Sequence, residues 1–554
     1  MRFHTPVLLA GLVLATTLGG CGRGEPDVDQ AIATITPDAL TPRIKALAAD
    51  SMEGRPPASI GEDRTIRYLQ SQFRTIGLEP GNGDSYLQEV PLVSVAPDPS
   101  MRLQVRGDGG ISELRYGSDF MAWTKRVVSR VSLRNVPVVF VGYGIVAPEY
   151  DWNDYRGVDV RGKAVVILVN DPGFATQDTA LFTGNAMTYY GRWTYKYEEA
   201  ARQGAAAAII VHEAAAAGYP WDVVRGSWSG ETFDLVAKDS NMSRAAVEGW
   251  ITHDRAVSLF QRAGRDYEQL KARAAERGFH AVPMPLSISI TIRNTIRHST
   301  SHNVLARLPG ASRPDEYIIY TAHWDHLGKD TTLQGDQIYN GAVDNATGVA
   351  GLLALGNAFA TLSQAPERSI LFLAVTAEEQ GLLGSQYYAT HPVYPLNKTV
   401  AEINMDAMDV LGPMRDVTVI GLGQSDLDRY VADAAQQQGR RIRPDPEPEK
   451  GFYYRSDHFS FAKVGVPALY MDAGVDHVEH GEDWTRERNA EYTRDRYHKP
   501  ADEYDPSWDL RGMTQDLGLL FRVGYRLANE STFPNWSSAS EFRTIRDSMM
   551  AGAR

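Results

Sequence analysis

Apolar positions divide the chain into segments of different texture. After Arg2, the run "PVLLAGLVLATTL" is unbroken; it is short for a membrane-spanning helix and suits the apolar core of a secretory signal. In "RTIRYLQSQFRTIGLEP", Ile66, Leu69, Phe73 and Ile76 fall at helical spacing before a glycine stop, which predicts an amphipathic helix. From about 105 to 285 the apolar runs shorten. "VPVVFVGYGI" and "GKAVVILVNDPG" close on Gly, Pro, Asn and Asp and predict strands, and "YKYEEAARQGAAAAIIVHE" predicts a helix passing through a glycine into a strand.

From about 286 the pattern alternates. "EYIIYTAHWDHLG" and "SILFLAVTAEE" predict strands ending in polar loops. Between them, "NATGVAGLLALGNAFATL" predicts a helix with Val349, Leu352, Leu353, Gly356 and Phe359 on or near one face. "AEINMDAMD", "DVTVIG" and "VPALYMDAG" predict further strands, while "RPDPEPEKG" and the charged stretch 482–505 predict surface loops. Strands alternating with helices imply an α/β fold with a mostly parallel mixed sheet, whose ligands gather at the carboxyl ends of the strands. No repeat of 20 to 50 residues is visible by inspection.

At 554 residues and 43% hydrophobic content, the chain is long enough for two or three cores. Its formal net charge of −13 and the absence of a long basic run argue against nucleic acid as a partner. Cys21 is the only cysteine, so no disulfide or thiolate metal site is available. "LGGC" at 18–21 resembles a bacterial lipobox, which implies acylation of Cys21, an exported protein and a stable membrane anchor for a soluble body. Gly22, rather than Asp, after the cysteine implies the outer membrane, facing the periplasm, if the cell is Gram-negative.

Ionisable groups collect at the predicted strand ends: His323 and Asp325, Asp344, the adjacent Glu378 and Glu379, Asp406, and His498. Two neighbouring acids closing an apolar strand need strong partners, because a buried unpaired charge is expensive. Imidazole and carboxylate together suit a borderline divalent ion. Hydrolysis at a two-metal site requires a bridging ligand, terminal ligands and a base, and this inventory can supply all three. Asp325 lies two residues after His323, so both point to one side of an extended strand. That carboxylate can hold the second imidazole nitrogen.

"AHWDHLG", "DNATGVAGLL", "AEEQGLLGS", "NMDAM", "YRSDHFSFAKVGVPA" and "YHKPADEYD", in this order, resemble the co-catalytic di-zinc metallopeptidases that include bacterial leucyl aminopeptidases, aminopeptidase Y and glutamate carboxypeptidase. The resemblance implies two zinc ions bridged by Asp344, with His323 and Asp406 completing one ion's ligands and Glu379 and His498 the other's. Glu378 would be the general base for a metal-bridging hydroxide. Tyr497 matches the tyrosine that stabilises the tetrahedral intermediate in the carboxypeptidase branch, and Tyr453 the comparable tyrosine of the bacterial aminopeptidase branch; the sequence leaves the choice open. "GYGIVAPEYDWNDYRGVDVRGKAVVILVNDPG" resembles the protease-associated domain, a small β-rich α/β fold often inserted in peptidases.

The expected organisation is a lipoprotein signal peptide at 1–20, a tether at 21–36, a zinc-exopeptidase domain at 37–104 and 286–530, the insertion at 105–285, and a polar tail at 531–554. The expected function is that of an aminopeptidase acting on peptides. Three rivals are a glutamate carboxypeptidase-like enzyme that favours acidic C-termini, a glutaminyl cyclase-like enzyme with one zinc, and a non-catalytic binding protein. His326, His458, His477 and His480 are read as non-ligands. Asp409 is the alternative to Asp406 if the register differs by one turn, and Arg455 is read as pairing with an acid in preference to binding a substrate carboxylate.

Overall fold

The structure, a computed structural model, describes residues 25–552. The signal segment and Cys21 lie outside the described residues. Two sheets share one strand. Val282–Leu308, 27 residues long, begins in the smaller sheet and ends in the larger. Residues 282–293 pair with Arg102–Gly107 and Arg130–Phe140, whereas 294–308 pair with Leu87–Pro97 and then with Arg368–Val375.

The larger sheet continues through parallel pairs. Arg313–His323 lies between Arg368–Val375 and Thr399–Asn404, and the latter pairs with Ala468–Ala473. Asp416–Ile420 adds an antiparallel strand. This is the expected mostly parallel mixed sheet. Strands covered on both faces have no solvent side, so all eight residues of Arg368–Val375 are buried instead of alternating.

Helix Gly348–Ala360 packs on this sheet with Leu352, Leu353, Leu355 and Phe359 at or below 1% exposure; each such side chain contributes roughly 1.5–3 kcal/mol of burial. Arg511–Asn529 lies close beside the sheet because residue 524 is glycine. A Cβ there would come within 1.8 Å of the Tyr320 hydroxyl. Ile60–Ile76 buries Ile66, Leu69 and Phe73, as their spacing predicts, and Ser59 caps its N-terminus.

The smaller sheet carries parallel strands Arg130–Phe140, Ala164–Leu168, Ala207–His212 and Val247–Thr252, with its own core. The helix Trp193–Arg202 leads through Gly204 into the Ala207–His212 strand, as read from the sequence. The larger body reaches across to this unit through 448–451: Met187 N–H donates to Pro448 O at 3.0 Å, and the Asn185 amide to Glu449 Oε2 at 3.0 Å.

Three expectations about segments are corrected. Residues 25–36 are not a free tether, because Glu25–Ile32 is a helix that buries Val28 and Ala31 in the main core. The segment after 530 is not a polar tail: Trp536 is buried and donates to Gly465 O, and Arg546, from helix Arg543–Ala551, donates to Thr399 O. The charged stretch after 481 is helical over Gly481–Asp495, with Arg486 pairing one turn back to Glu482 and Arg488 forward to Glu491. Charge on every face resembles a loop in sequence, but such pairs support a solvated helix.

Candidate metal centre and active site

Five residues expected as ligands converge at the carboxyl end of the larger sheet. His323 ends its strand, Glu379 follows Arg368–Val375, and Asp406 follows Thr399–Asn404. Asp344 lies in the turn leading into Gly348–Ala360, and His498 follows the charged helix.

The two oxygens of Asp344 face different partners. Oδ1 is 3.2 Å from His323 Nε2, which is also 3.2 Å from Asp406 Oδ1. Oδ2 is 3.2 Å from His498 Nε2, which is 3.1 Å from Glu379 Oε2. Bonds of about 2.0–2.1 Å in a tetrahedron put neighbouring ligand atoms roughly 3.3 Å apart. The donor set therefore fits two divalent ions sharing Asp344, with N and O ligands suited to zinc. Glu378 Oε2 lies 4.0 Å from His323 Nε2, at the edge of the same cluster.

The electrostatics follow from this crowding. Burial disfavours charge on His323, but Asp406 and its other acidic neighbours outweigh it and hold the imidazole well above its ordinary pKa. His498 is likewise raised against burial by Glu379. Burial would raise Asp344, yet hydrogen bonds from both imidazoles hold it well below the carboxylate range. Glu378 differs: burial drives it well above that range despite the pull of His323. The cluster is thus rich in anionic charge and offers an uncommitted acid beside it.

Asp325 has a role different from the expected one. His323 Nδ1 lies 3.2 Å from the backbone oxygen of Asp325, while its carboxylate is 3.9 Å away, beyond a hydrogen bond. The Asp325 carboxylate instead accepts the N–H groups of Glu378 at 3.0 Å and Glu379 at 3.4 Å, so it orients the paired acids. The two tyrosines separate as well. Tyr497 stacks on His498 with ring centroids 4.0 Å apart, and burial raises its hydroxyl to about 12. Tyr453 is not brought to the cluster: its buried hydroxyl has no hydrogen-bond partner among the described residues, and the charges it feels are Glu541, Asp428 and Glu402.

Asp406, not Asp409, faces the cluster. Asp406 Oδ2 accepts from Ser456 Oγ at 2.5 Å, and Ser456 accepts from Asn404 Nδ2 at 2.7 Å. Asp409 lies elsewhere and accepts the Leu411 N–H. The His458 ring is buried and does not reach the cluster, and His477 accepts the N–H groups of Glu479 and His480. His326 does reach the site, with Nδ1 2.6 Å from Glu379 Oε1.

Two further residues escaped the sequence reading. Arg55, 1% exposed, donates to the backbone oxygens of Trp324, Leu47, Asn340 and Gly341, fastening the loops on both sides of the cluster. Asp502 accepts the N–H groups of Val343 and Asp344, each at 3.1 Å. Asp502 follows His498 within "YHKPAD", which was its sequence signal; Arg55 had none.

Arg455 pairs with no carboxylate among the described residues, contrary to expectation, and lies over Phe452. Arg192 of the smaller unit is 7% exposed, also lacks an acidic partner among the described residues, and leaves Nε without a hydrogen bond. Its Cδ lies 3.5 Å from where a Cβ on Gly451 would stand, and it feels Arg455. In the smaller unit, Glu213, His253 and Glu268 also approach one another, but Lys271 Nζ already pairs with Glu213 at 2.7 Å.

Fold and site define the class as that of an α/β domain with a buried donor set for divalent ions at the carboxyl end of its sheet. Residues 303–521, which hold all five candidate ligands and Glu378, match the family model for peptidase family M28. The mouse aminopeptidase NAALADL1 is 35% identical over 129 residues, 22% of this chain and 16% of the relative. The Caenorhabditis elegans glutamate carboxypeptidase 2 homolog is 32% identical over 194 residues, 34% of this chain and 23% of the relative. The aligned part of the chain therefore spans less than a quarter of either relative. The solved aminopeptidase from Aneurinibacillus sp. strain AM-1 shares the fold with a TM-score of 0.52 at 20% identity, covering 91% of this chain and 97% of that one.

Proposed function

We propose that the protein is a zinc-dependent exopeptidase holding two ions, an aminopeptidase that releases N-terminal residues from peptides. The observation that carries this reading is the division of Asp344, one oxygen toward His323 and Asp406 and the other toward His498 and Glu379. Bound zinc supplies Lewis acidity, acidifying water and polarising a carbonyl. Glu378 accepts the proton of the attacking water and returns it to the leaving amine. Tyr497 donates its hydroxyl hydrogen to the carbonyl oxygen as negative charge develops there. Asp325, Asp502 and Arg55 hold the backbone from which these groups project.

Glu378→Gln is expected to lower kcat by orders of magnitude while leaving about two zinc ions per chain by elemental analysis, as a base outside the ligand set requires. Near wild-type turnover in this variant would overturn the role given to Glu378. The two unpaired arginines favour a second reading, a carboxypeptidase that binds a substrate carboxylate at Arg192 and Arg455. Peptides blocked at either end separate the two: loss of cleavage only on N-blocking supports the aminopeptidase, and loss only on C-blocking the carboxypeptidase. The chain is further proposed to be anchored in the cell envelope through Cys21, tested by fatty-acid labelling that Cys21→Ser abolishes. The smaller unit is read as the protease-associated insertion.

A further inference from the structure

His326 stands outside the five proposed ligands, yet it makes a close polar contact with one of them. Its Nδ1 lies 2.6 Å from Glu379 Oε1, while Oε2 of the same carboxylate faces His498 at 3.1 Å. The first distance is that of a hydrogen bond. It is shorter than the 3.1–3.2 Å that separates the proposed ligand atoms from one another.

The ring has little freedom. Its side chain is 0% exposed, and its Nε2 meets no partner among the described residues. The His326 N–H donates to Arg55 O at 3.2 Å. On another side the ring lies against Gly341, whose φ is +56°; a Cβ there would stand 2.6 Å from both Cγ and Cδ2 of the imidazole. A fixed ring fixes the carboxylate oxygen that it contacts.

We propose that His326 is a positioning residue for the second metal position: by donating Nδ1–H to Oε1 of Glu379, it reserves Oε2 as the ligand and makes that carboxylate bind through one oxygen. This rests on the two-zinc reading above. A glutamate left free would sample several rotamers and could offer both oxygens, so zinc would have to order it on binding. With His326 in place, that ordering precedes the metal.

The test is zinc titration of the full chain by chelator competition, comparing wild type with His326→Leu, which fills the volume without a donor, and His326→Asn, whose amide restores one. Loss of a partner that orients a ligand typically costs about 10–100-fold in metal affinity. His326→Leu is expected to weaken one zinc by that factor and leave the other within about threefold; His326→Asn is expected to recover most of the loss. Unchanged affinities in His326→Leu would overturn the inference. So would loss of one ion in both variants with a changed histidine count in the X-ray absorption spectrum, which would make His326 a ligand. If His326→Leu fails to fold, His326→Asn still decides: near wild-type affinity with an unchanged histidine count supports positioning, and loss of the ion overturns it. Wild type binding fewer than two ions would overturn the two-zinc reading and this inference with it.

Discussion

Replacing Arg55 by leucine should show how far the site depends on a residue that touches none of its ligands. The guanidinium makes hydrogen bonds of 2.8, 2.7, 2.6 and 2.9 Å to four backbone oxygens, two in the loops that lead to Asp344 and one at Trp324, between His323 and Asp325. Burial lowers its pKa to about 10, so it remains charged at neutral pH. Each buried acceptor left without a donor costs about 1–3 kcal/mol. If two of the four regain water by loosening of the loops, the other two leave a loss of about 2–6 kcal/mol, and breaking a buried network is one of the few mechanisms that reach the upper end. Arg55→Lys keeps the charge but cannot span four acceptors, and should recover less than half. Hydrogen exchange over 322–328 and 340–346, denaturant midpoints and zinc affinity should all shift in the leucine variant. If its midpoint corresponds to a loss within about 0.5 kcal/mol and it binds zinc like wild type, the clamp has no such role.

Two other predictions concern the tyrosines and pH. Tyr497→Phe should lower kcat by roughly 10²–10³ with zinc stoichiometry unchanged, as loss of one oxyanion donor does, whereas Tyr453→Phe should stay near wild type; the reverse pattern in peptide turnover would refute the assignment. The hydrogen bond to Glu62, 2.8 Å away, raises the pKa of His302. The folded state therefore holds that proton more tightly than the unfolded chain, so the contribution is full below about pH 6.5 and fades as pH rises through the folded value. The stability gap between wild type and His302→Gln should shrink from pH 6 to pH 9; a gap independent of pH would contradict it.

What the sequence made legible was local. His323, Asp344, Glu378, Glu379, Asp406 and His498 each sit beside an apolar strand, a helix start or a short motif, and strand periodicity places such groups at one end of the sheet. What it concealed was direction and distance. Tyr453 lies three residues before Ser456, which reaches Asp406, but chain proximity does not say which way a ring turns. Asp325 is two residues from His323, yet its carboxylate turns toward the Glu378 N–H group. Arg55 is 269 residues from the Trp324 oxygen that it binds, and no periodicity spans such a gap. His326 lies in a loop after its strand, where the sequence carries no sign of what a histidine faces.

The strand Val282–Leu308 has a mechanical consequence. Its first half is hydrogen-bonded into the smaller sheet and its second half into the larger, so the two units are joined by one continuous strand, as well as by the chain at 98–101 and by Thr232–Leu235, which leaves the smaller unit to pair with Leu92–Val95 of the larger sheet. A strand bonded at both ends transmits torsion: turning one sheet about the other must bend the strand near Arg293–Asn294 or break ladder bonds beside it. Access to the candidate metal centre is therefore expected to depend on small movements of side chains and loops such as 448–455, and not on rotation of the smaller unit as a body.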